Sequence, residues 1–138
     1  MIESERLVVE MLKKQFPMLQ TKGFKDALVN TFCLDLEDAD DVRHYGYMVP
    51  DAYVVTQDLF IVFEIENKHP VPWDKLIDYA ILWDLLDGVP YNPKFTFTLE
   101  LVSHYGQRAR LHMADLYVAT LHPENEHNRQ KVVMEVSQ

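Results

Sequence analysis

The residues whose types and spacing can do chemistry begin at Pro50-Asp51, and Glu66-Asn67-Lys68 follows fifteen residues after the aspartate. The stretch Leu59–Glu66 reads as a strand, and side chains on a strand alternate faces with period 2. Leu59, Ile61, Phe63 and Ile65 form one apolar set, whereas Phe60, Val62, Glu64, Glu66 and Lys68 share the other face. That second set starts apolar and ends in two acids and a lysine. Ionisable groups closing an apolar strand are costly without partners. Asp51, on the adjacent strand of a hairpin, can lie opposite and supply one. A carboxylate pair binds a hard cation such as Mg²⁺ through oxygen. A lysine beside it can orient or deprotonate a water, its proton affinity lowered by burial and by the cation. Together they suit metal-assisted hydrolysis of a phosphodiester. A surface salt bridge between Glu66 and Lys68 is the plainer explanation of the same residues.

The elements that must position this set follow from periodicity and turn residues. Residues 2–16 read as a helix ahead of the break at Pro17. At ~100° per residue, Ile2, Val8, Val9, Leu12 and Phe16 share one face, and Glu5 falls within it. Glu3 and Glu10 fall on the polar side with Arg6 and Lys13. Ala27–Leu36 has strand-like apolar content, and Asp35, Glu37, Asp38, Asp40 and Asp41 read as a solvated loop. Tyr47–Val55 and Leu59–Glu66 flank Thr56-Gln57-Asp58, which suits a hairpin. Beyond Pro70 and Pro72, Trp73–Leu86 reads as a largely buried helix closed by Asp87-Gly88. Phe95–Val102 reads as a strand. Leu111–Leu121 fits strand or helix, and Tyr117-Val118-Ala119-Thr120 tips it towards strand. A polar tail after His122 ends in the apolar patch Val132–Val136. The order of helix, strands, helix and strand predicts an α/β fold, a mixed sheet flanked by helices.

With these elements in place, Pro50-Asp51…Glu66-Asn67-Lys68 resembles the PD-(D/E)xK motif of the restriction-endonuclease-like nuclease superfamily. The resemblance covers roughly residues 1 to 102. It implies a restriction-endonuclease-like core: a helix, a three-strand meander, a helix and a further strand. It also implies that Asp51 and Glu66 bind Mg²⁺ or Mn²⁺, that the Asn67 carbonyl adds a ligand, and that Lys68 acts on the attacking water. Glu64 shares the face, and either takes over as a ligand or pairs with Lys68. Many members carry a further acid on the first helix, and Glu5 is the candidate here; the alternative places it in a first turn favoured by the helix dipole. Lys75…Tyr79 resembles the QxxxY signature of RecB-like members with Lys in place of Gln, which makes Lys75 a candidate phosphate contact. Tyr79 reads as core more readily than as a ligand. His69 adjoins the motif and either contacts a phosphate or is a turn histidine before Pro70. His104, Arg108, Arg110 and His112 form a basic cluster in which Arg108 and Arg110 can meet a nucleic-acid backbone, an exposed loop being the default.

Composition sets the limits. A chain of 138 residues is expected to form one domain, and 48% hydrophobic with 25% charged residues excludes a disordered chain. The lone Cys33 excludes an internal disulfide framework and any Cys-rich zinc site. No signal peptide or membrane span is expected in MIESERLVVEMLKKQF, so the expectation is a cytoplasmic protein. Thirteen basic and twenty-two acidic residues give a net charge of −9, which argues against attachment to nucleic acid by a basic surface. If some acids hold metal, that total says little about the local field. The expected function is a divalent-metal-dependent nuclease acting on DNA, including a small structure-specific endonuclease or junction resolvase, as a homodimer or docked on a larger complex. The alternative is an inactive nuclease fold serving as a protein-binding or regulatory module.

Overall fold

A computed structural model of the chain describes residues 3–44, 49–56, 58–66, 72–87, 96–105 and 107–136. Among the described residues, α1 (Glu3–Gln15), α2 (Phe24–Thr31) and α3 (Leu36–His44) precede the hairpin β1 (Ala52–Val55) and β2 (Leu59–Glu66). Then follow α4 (Trp73–Asp87), β3 (Thr96–Ser103), β4 (Arg108–His112), α5 (Met113–Leu121) and α6 (Glu126–Val136). The strands form one mixed sheet in the order β1-β2-β3-β4. β1 runs antiparallel to β2, β2 parallel to β3 through the α4 crossover, and β3 antiparallel to β4. None of the described helices is long and apolar enough to cross a membrane.

The alternation expected for β2 decides how the two layers of helices attach. Ile61, Phe63 and Ile65 pack with Ala52, Val54 and Val102 against Val8, Val9 and Leu12 of α1. Phe60 and Val62 face the other way, into a core shared with Leu28 of α2, Val42 of α3, Leu76 and Tyr79 of α4, and Leu116 of α5. Phe60 is its centre: fully buried, it stacks on Phe97 at 4.9 Å and 7° and meets Phe24 edge-on at 6.1 Å.

Three segments differ from expectation. The stretch expected as a strand at 27–36 is instead α2 and the turn after it, because Phe24 and Leu28 sit one helical turn apart and bury together. No glycine marks its end: Cys33 itself takes the left-handed conformation, φ 49°, that a C-terminal glycine ordinarily supplies. The acidic run is exposed as expected but helical. Asp35 caps it by accepting the Asp38 N–H at 2.8 Å, Glu37 and Asp38 sit in the first turn where the helix dipole favours acids, and Ala39 and Val42 bury the inner face. Leu111–Leu121 is a strand end followed directly by a helix, with Met113, Leu116 and Ala119 buried at helical spacing. The strand-prone Tyr117–Thr120 run is overridden by that packing.

As a consequence, the three-strand meander implied by the resemblance is not found among the described residues, where two strands precede α4 and two follow it. The hairpin itself forms as expected. Its turn is tied by the Thr56 N–H on the Leu59 carbonyl at 2.9 Å and by the Leu59 N–H on Thr56 Oγ1 at 3.1 Å. Among the described residues its first strand starts at Ala52, just after Pro50, which has no N–H to give a ladder; positions 47 and 48 of the expected strand lie outside them.

Candidate functional site

The register of the hairpin places Asp51 one step beyond the Ala52–Phe63 pair, which puts it opposite Glu64. The Asp51 N–H donates to the Phe63 carbonyl at 3.2 Å, and Asp51 Oδ2 accepts the Ile65 N–H at 2.7 Å. The aspartate is thus fixed across the end of β2. Glu64 points to the α4 side of the sheet and is fully buried. A charge there needs partners, and α4 delivers two of them one helical turn apart. Lys75 Nζ donates to Glu64 Oε2 at 2.8 Å, and the Tyr79 hydroxyl donates to Glu64 Oε1. α4 begins in register for this because the Lys75 and Leu76 N–H groups both return to the Pro72 carbonyl.

Burial pushes the Glu64 carboxyl up to about 7, against the opposing pull of the Lys75 and Tyr79 hydrogen bonds. Burial also lowers the Lys75 ammonium, but the Glu64 hydrogen bond and the charges of Glu64, Asp51 and Glu66 outweigh it and leave Lys75 raised. Lys75 therefore stays charged through neutral pH, and Glu64 is the member of the pair that titrates. The Tyr79 hydroxyl, desolvated and beside Glu64, is held well above its ordinary range.

Glu66 ends β2 opposite Ser103, at the carboxyl end of the parallel β2–β3 pair. In open α/β sheets that end is where ligands bind. Partial burial raises the Glu66 carboxyl; Asp51 and Glu5 add to the rise, whereas Lys75 and His104 oppose it. Glu5, half-exposed on α1, is among the charges that act on Glu66. His104, just past β3, is held by Ser4 of α1, with Ser4 Oγ 2.9 Å from its Nδ1. Its Nε2 is buried without a partner among the described residues.

The sequence-predicted residues divide accordingly. Asp51, Glu64, Glu66, Glu5 and Lys75 are brought into one electrostatic cluster. Asn67, Lys68 and His69 lie outside the described residues. Arg108 and Arg110 belong to β4 rather than a loop, and both turn to the buried Glu100. Arg108 Nε and Nη2 donate to its two oxygens at 3.0 and 2.9 Å, and Arg110 Nη2 stands at 3.8 Å. Arg108 is therefore a structural clasp, while Arg110 keeps an exposed side chain. Sequence reasoning favoured the core for Tyr79 and missed Ser4. Lys75 and Tyr79 at i and i+4 mark one helix face, which is a legible signal, but the Ser4–His104 bond spans 100 residues and leaves none.

Mg²⁺ and Mn²⁺ were the expected ions. Among the described residues no group of three His, Cys, Asp or Glu side chains is arranged to hold a metal. Glu64 has both carboxylate oxygens committed to Lys75 and Tyr79. Asp51 and Glu66 remain as an oxygen-donor pair, and mutual repulsion with a neighbouring acid is the charge environment a cation relieves. Magnesium is commonly held by one or two carboxylates together with waters and substrate phosphate, so it does not require a closed cage of protein ligands. The chain matches no protein-family model, no curated protein and no solved structure.

Proposed function

We propose that the chain is a divalent-metal-dependent nuclease that hydrolyses DNA phosphodiesters on this α/β fold. The observation that carries this reading is the gathering of Asp51, Glu64 and Glu66, with Lys75 among them, at the carboxyl end of the parallel strand pair. Fold stability gives no reason for such a cluster, because apolar side chains of similar volume satisfy a strand at least as well as a buried ion pair.

In this reading Asp51 and Glu66 hold Mg²⁺ or Mn²⁺, and the ion supplies Lewis-acid polarisation and a lowered pKa for a bound water. The chain's own residues do the rest. The Ile65 N–H fixes Asp51 Oδ2, so its carboxylate cannot swing away from the strand end. Lys75 and Tyr79 hold Glu64, which keeps a third acid next to Asp51 without leaving it unpaired. Glu5 adds negative charge from α1, and Ser4 fixes the His104 ring beside Glu66.

The test incubates supercoiled plasmid, linear duplex, single-stranded and four-way-junction DNA with purified protein in Mg²⁺ or Mn²⁺. Wild type is expected to cleave at least one of them, leaving 5′-phosphate and 3′-hydroxyl ends. Glu66→Gln is expected to lower the rate by at least ~100-fold. A protein that binds Mn²⁺ yet cleaves none of these refutes the reading. One that neither binds Mn²⁺ nor cleaves favours a nuclease-like fold kept as a protein-binding module.

A further inference from the structure

The corner between α5 and α6 gathers a second set of residues able to do chemistry. Tyr117 lies midway along α5, His122 caps the C-terminus of that helix, and Glu124 follows Pro123 in the turn. The Tyr117 hydroxyl stands 3.1 Å from His122 Nε2, and His122 Nδ1 stands 3.2 Å from Glu124 Oε1. Trp83 of α4 lies against the Tyr117 ring, with centroids 5.1 Å apart. Trp83 is roughly 12 Å along α4 from Lys75, at ~1.5 Å per residue, so this set stands apart from the acidic centre. We propose that Tyr117 is a nucleophile activated by His122, which Glu124 orients, and that its phenolic oxygen accepts an acyl group from a neutral ester. The inference does not rest on the nuclease reading.

The direction of the hydrogen bonds follows from Glu124. Its own backbone N–H and the His122 ring hold its carboxyl below the ordinary range, so at neutral pH it is ionised and can only accept. Nδ1 of His122 must then carry the ring proton, and Nε2 keeps the lone pair that accepts the Tyr117 hydroxyl. A weak nucleophile, a base within reach and a third group that orients the base are the parts that nucleophilic catalysis needs. The turn holds them in place. The His122 N–H returns to the Val118 carbonyl at 3.2 Å, the Asn125 N–H returns to the His122 carbonyl at 3.0 Å, and Pro123 fixes φ between them.

The setting also fits the step. As the Tyr117 oxygen bonds to the carbonyl carbon, His122 Nε2 takes the phenolic proton. The ester C–O bond then breaks, the leaving oxygen departs with the electron pair, and the proton passes from His122 to it or to solvent. The imidazolium formed in between sits at the C-terminal end of α5, where the helix dipole favours a cation. Solvent reaches the set, since the His122 side chain is 48% exposed and Tyr117 is half-buried. Among the described residues no lysine or arginine is bonded to Tyr117, His122 or Glu124, and the glutamate repels an anion. A neutral carbonyl is therefore favoured over a phosphoryl donor, and Trp83 offers it apolar surface.

The experiment treats the full chain with p-nitrophenyl acetate at neutral pH. Acetyl groups are located by peptide mass spectrometry, and p-nitrophenolate release is followed in parallel. Tyr105, 83% exposed, is the internal control in the same digest. Tyr117 is expected to acquire acetyl at least about tenfold faster than Tyr105. His122→Gln is expected to lower the Tyr117 rate at least about tenfold and to leave Tyr105 unchanged. Glu124→Gln is expected to lower it at least about threefold, because an amide no longer demands the tautomer with a free Nε2. His127→Gln, a change to another exposed histidine on α6, is expected to match wild type.

Tyr117 acetylated no faster than Tyr105, or at the wild-type rate in His122→Gln, overturns the proposal. So does a Tyr117→Phe protein that keeps the wild-type burst of p-nitrophenolate, because the imidazole is then the acceptor. Should circular dichroism show His122→Gln unfolded, the Tyr117 to Tyr105 ratio in wild type and the loss in Glu124→Gln decide the matter. A ratio near one overturns the proposal there too.

Discussion

Replacing Arg108 by Met separates a structural clasp from a nucleic-acid contact. Glu100 faces α1 from the middle of β3, its side chain 3% exposed, and Arg108 grips both its oxygens at 3.0 and 2.9 Å. The same guanidinium reaches Gln15 at the end of α1 and lies 5.8 and 5.9 Å from the Phe16 and Phe63 ring centroids. Methionine keeps the length and apolar character of the stem, so packing on the two rings is largely retained. What is lost is the counter-charge. Removing one partner of a buried pair costs about 3–5 kcal/mol, because the other is left desolvated and unpaired. Arg110, 3.8 Å from Glu100 but 56% exposed, can move in and offset part of that. The expected loss is therefore near the lower limit, about 3 kcal/mol.

Urea unfolding followed by circular dichroism measures that loss, and in a thermal scan it corresponds to a fall in Tm of roughly 10 °C for a domain of this size. Glu100→Gln/Arg108→Met removes both charges and is expected to recover most of the stability, since a neutral amide does not carry the same desolvation penalty. DNA binding by the folded Arg108→Met protein is expected to equal that of wild type. A loss below about 1 kcal/mol, or a double variant no more stable than the single, refutes the clasp. Weakened DNA binding at unchanged stability restores Arg108 to the substrate surface.

Stability should also depend on pH through Glu64. Its carboxyl rises from 4.5 to about 7 on folding, so the folded state binds more protons between those values. The associated stability is present below pH 4.5 and is lost as pH rises through 7, by up to about 3 kcal/mol. Lys75, raised above 10.5, keeps its contribution throughout that window. Glu64→Gln is therefore expected to flatten the stability curve between pH 5 and 8, and a variant with the wild-type slope contradicts the assignment. In the core, Phe60→Ala removes the ring stacked on Phe97 and edge-packed by Phe24, and is expected to cost about 3–5 kcal/mol in urea unfolding. A cost under 1 kcal/mol would mean that the aromatic cluster closes over the gap.

How much of this was legible follows from the range of the interactions involved. The alternation of β2 is local, so the sequence alone separates the α1 face from the α4 face and places Glu64 and Glu66 together. The amphipathic pattern of α1 is local too, and it singles out Glu5 from three glutamates on that helix. The errors arise where tertiary packing overrides a local preference. Val29, Thr31 and Phe32 favour a strand, but burying Phe24 and Leu28 together against β2 makes the segment helical. Arg108 reads as a free cation because its partner is eight residues away across a β3–β4 register that the sequence does not announce. Asp51 reads as the partner of Glu66, whereas a strand starting at Ala52 aligns it with Glu64.

The net charge of −9 acquires a different meaning once the ion pairs are traced. Arg6 lies between Glu3 and Glu10, Arg43 reaches Asp26, Arg108 holds Glu100 and Lys131 meets Asp115. Four of the thirteen basic residues are thus already answered within the chain. At the centre, Asp51, Glu64, Glu66 and Glu5 face Lys75 and His104, and a phosphodiester approaching them meets excess negative charge. Under the nuclease proposal a divalent cation is what makes that approach favourable, since each ion cancels two carboxylate charges where the phosphate must sit. Metal and substrate then cannot bind independently. Whatever factor the cation contributes to DNA affinity, DNA returns to cation affinity, because the coupling between two binding equilibria is reciprocal. On that proposal an acidic chain is suited to such a substrate, because a cation held by its acids would supply the attraction for DNA.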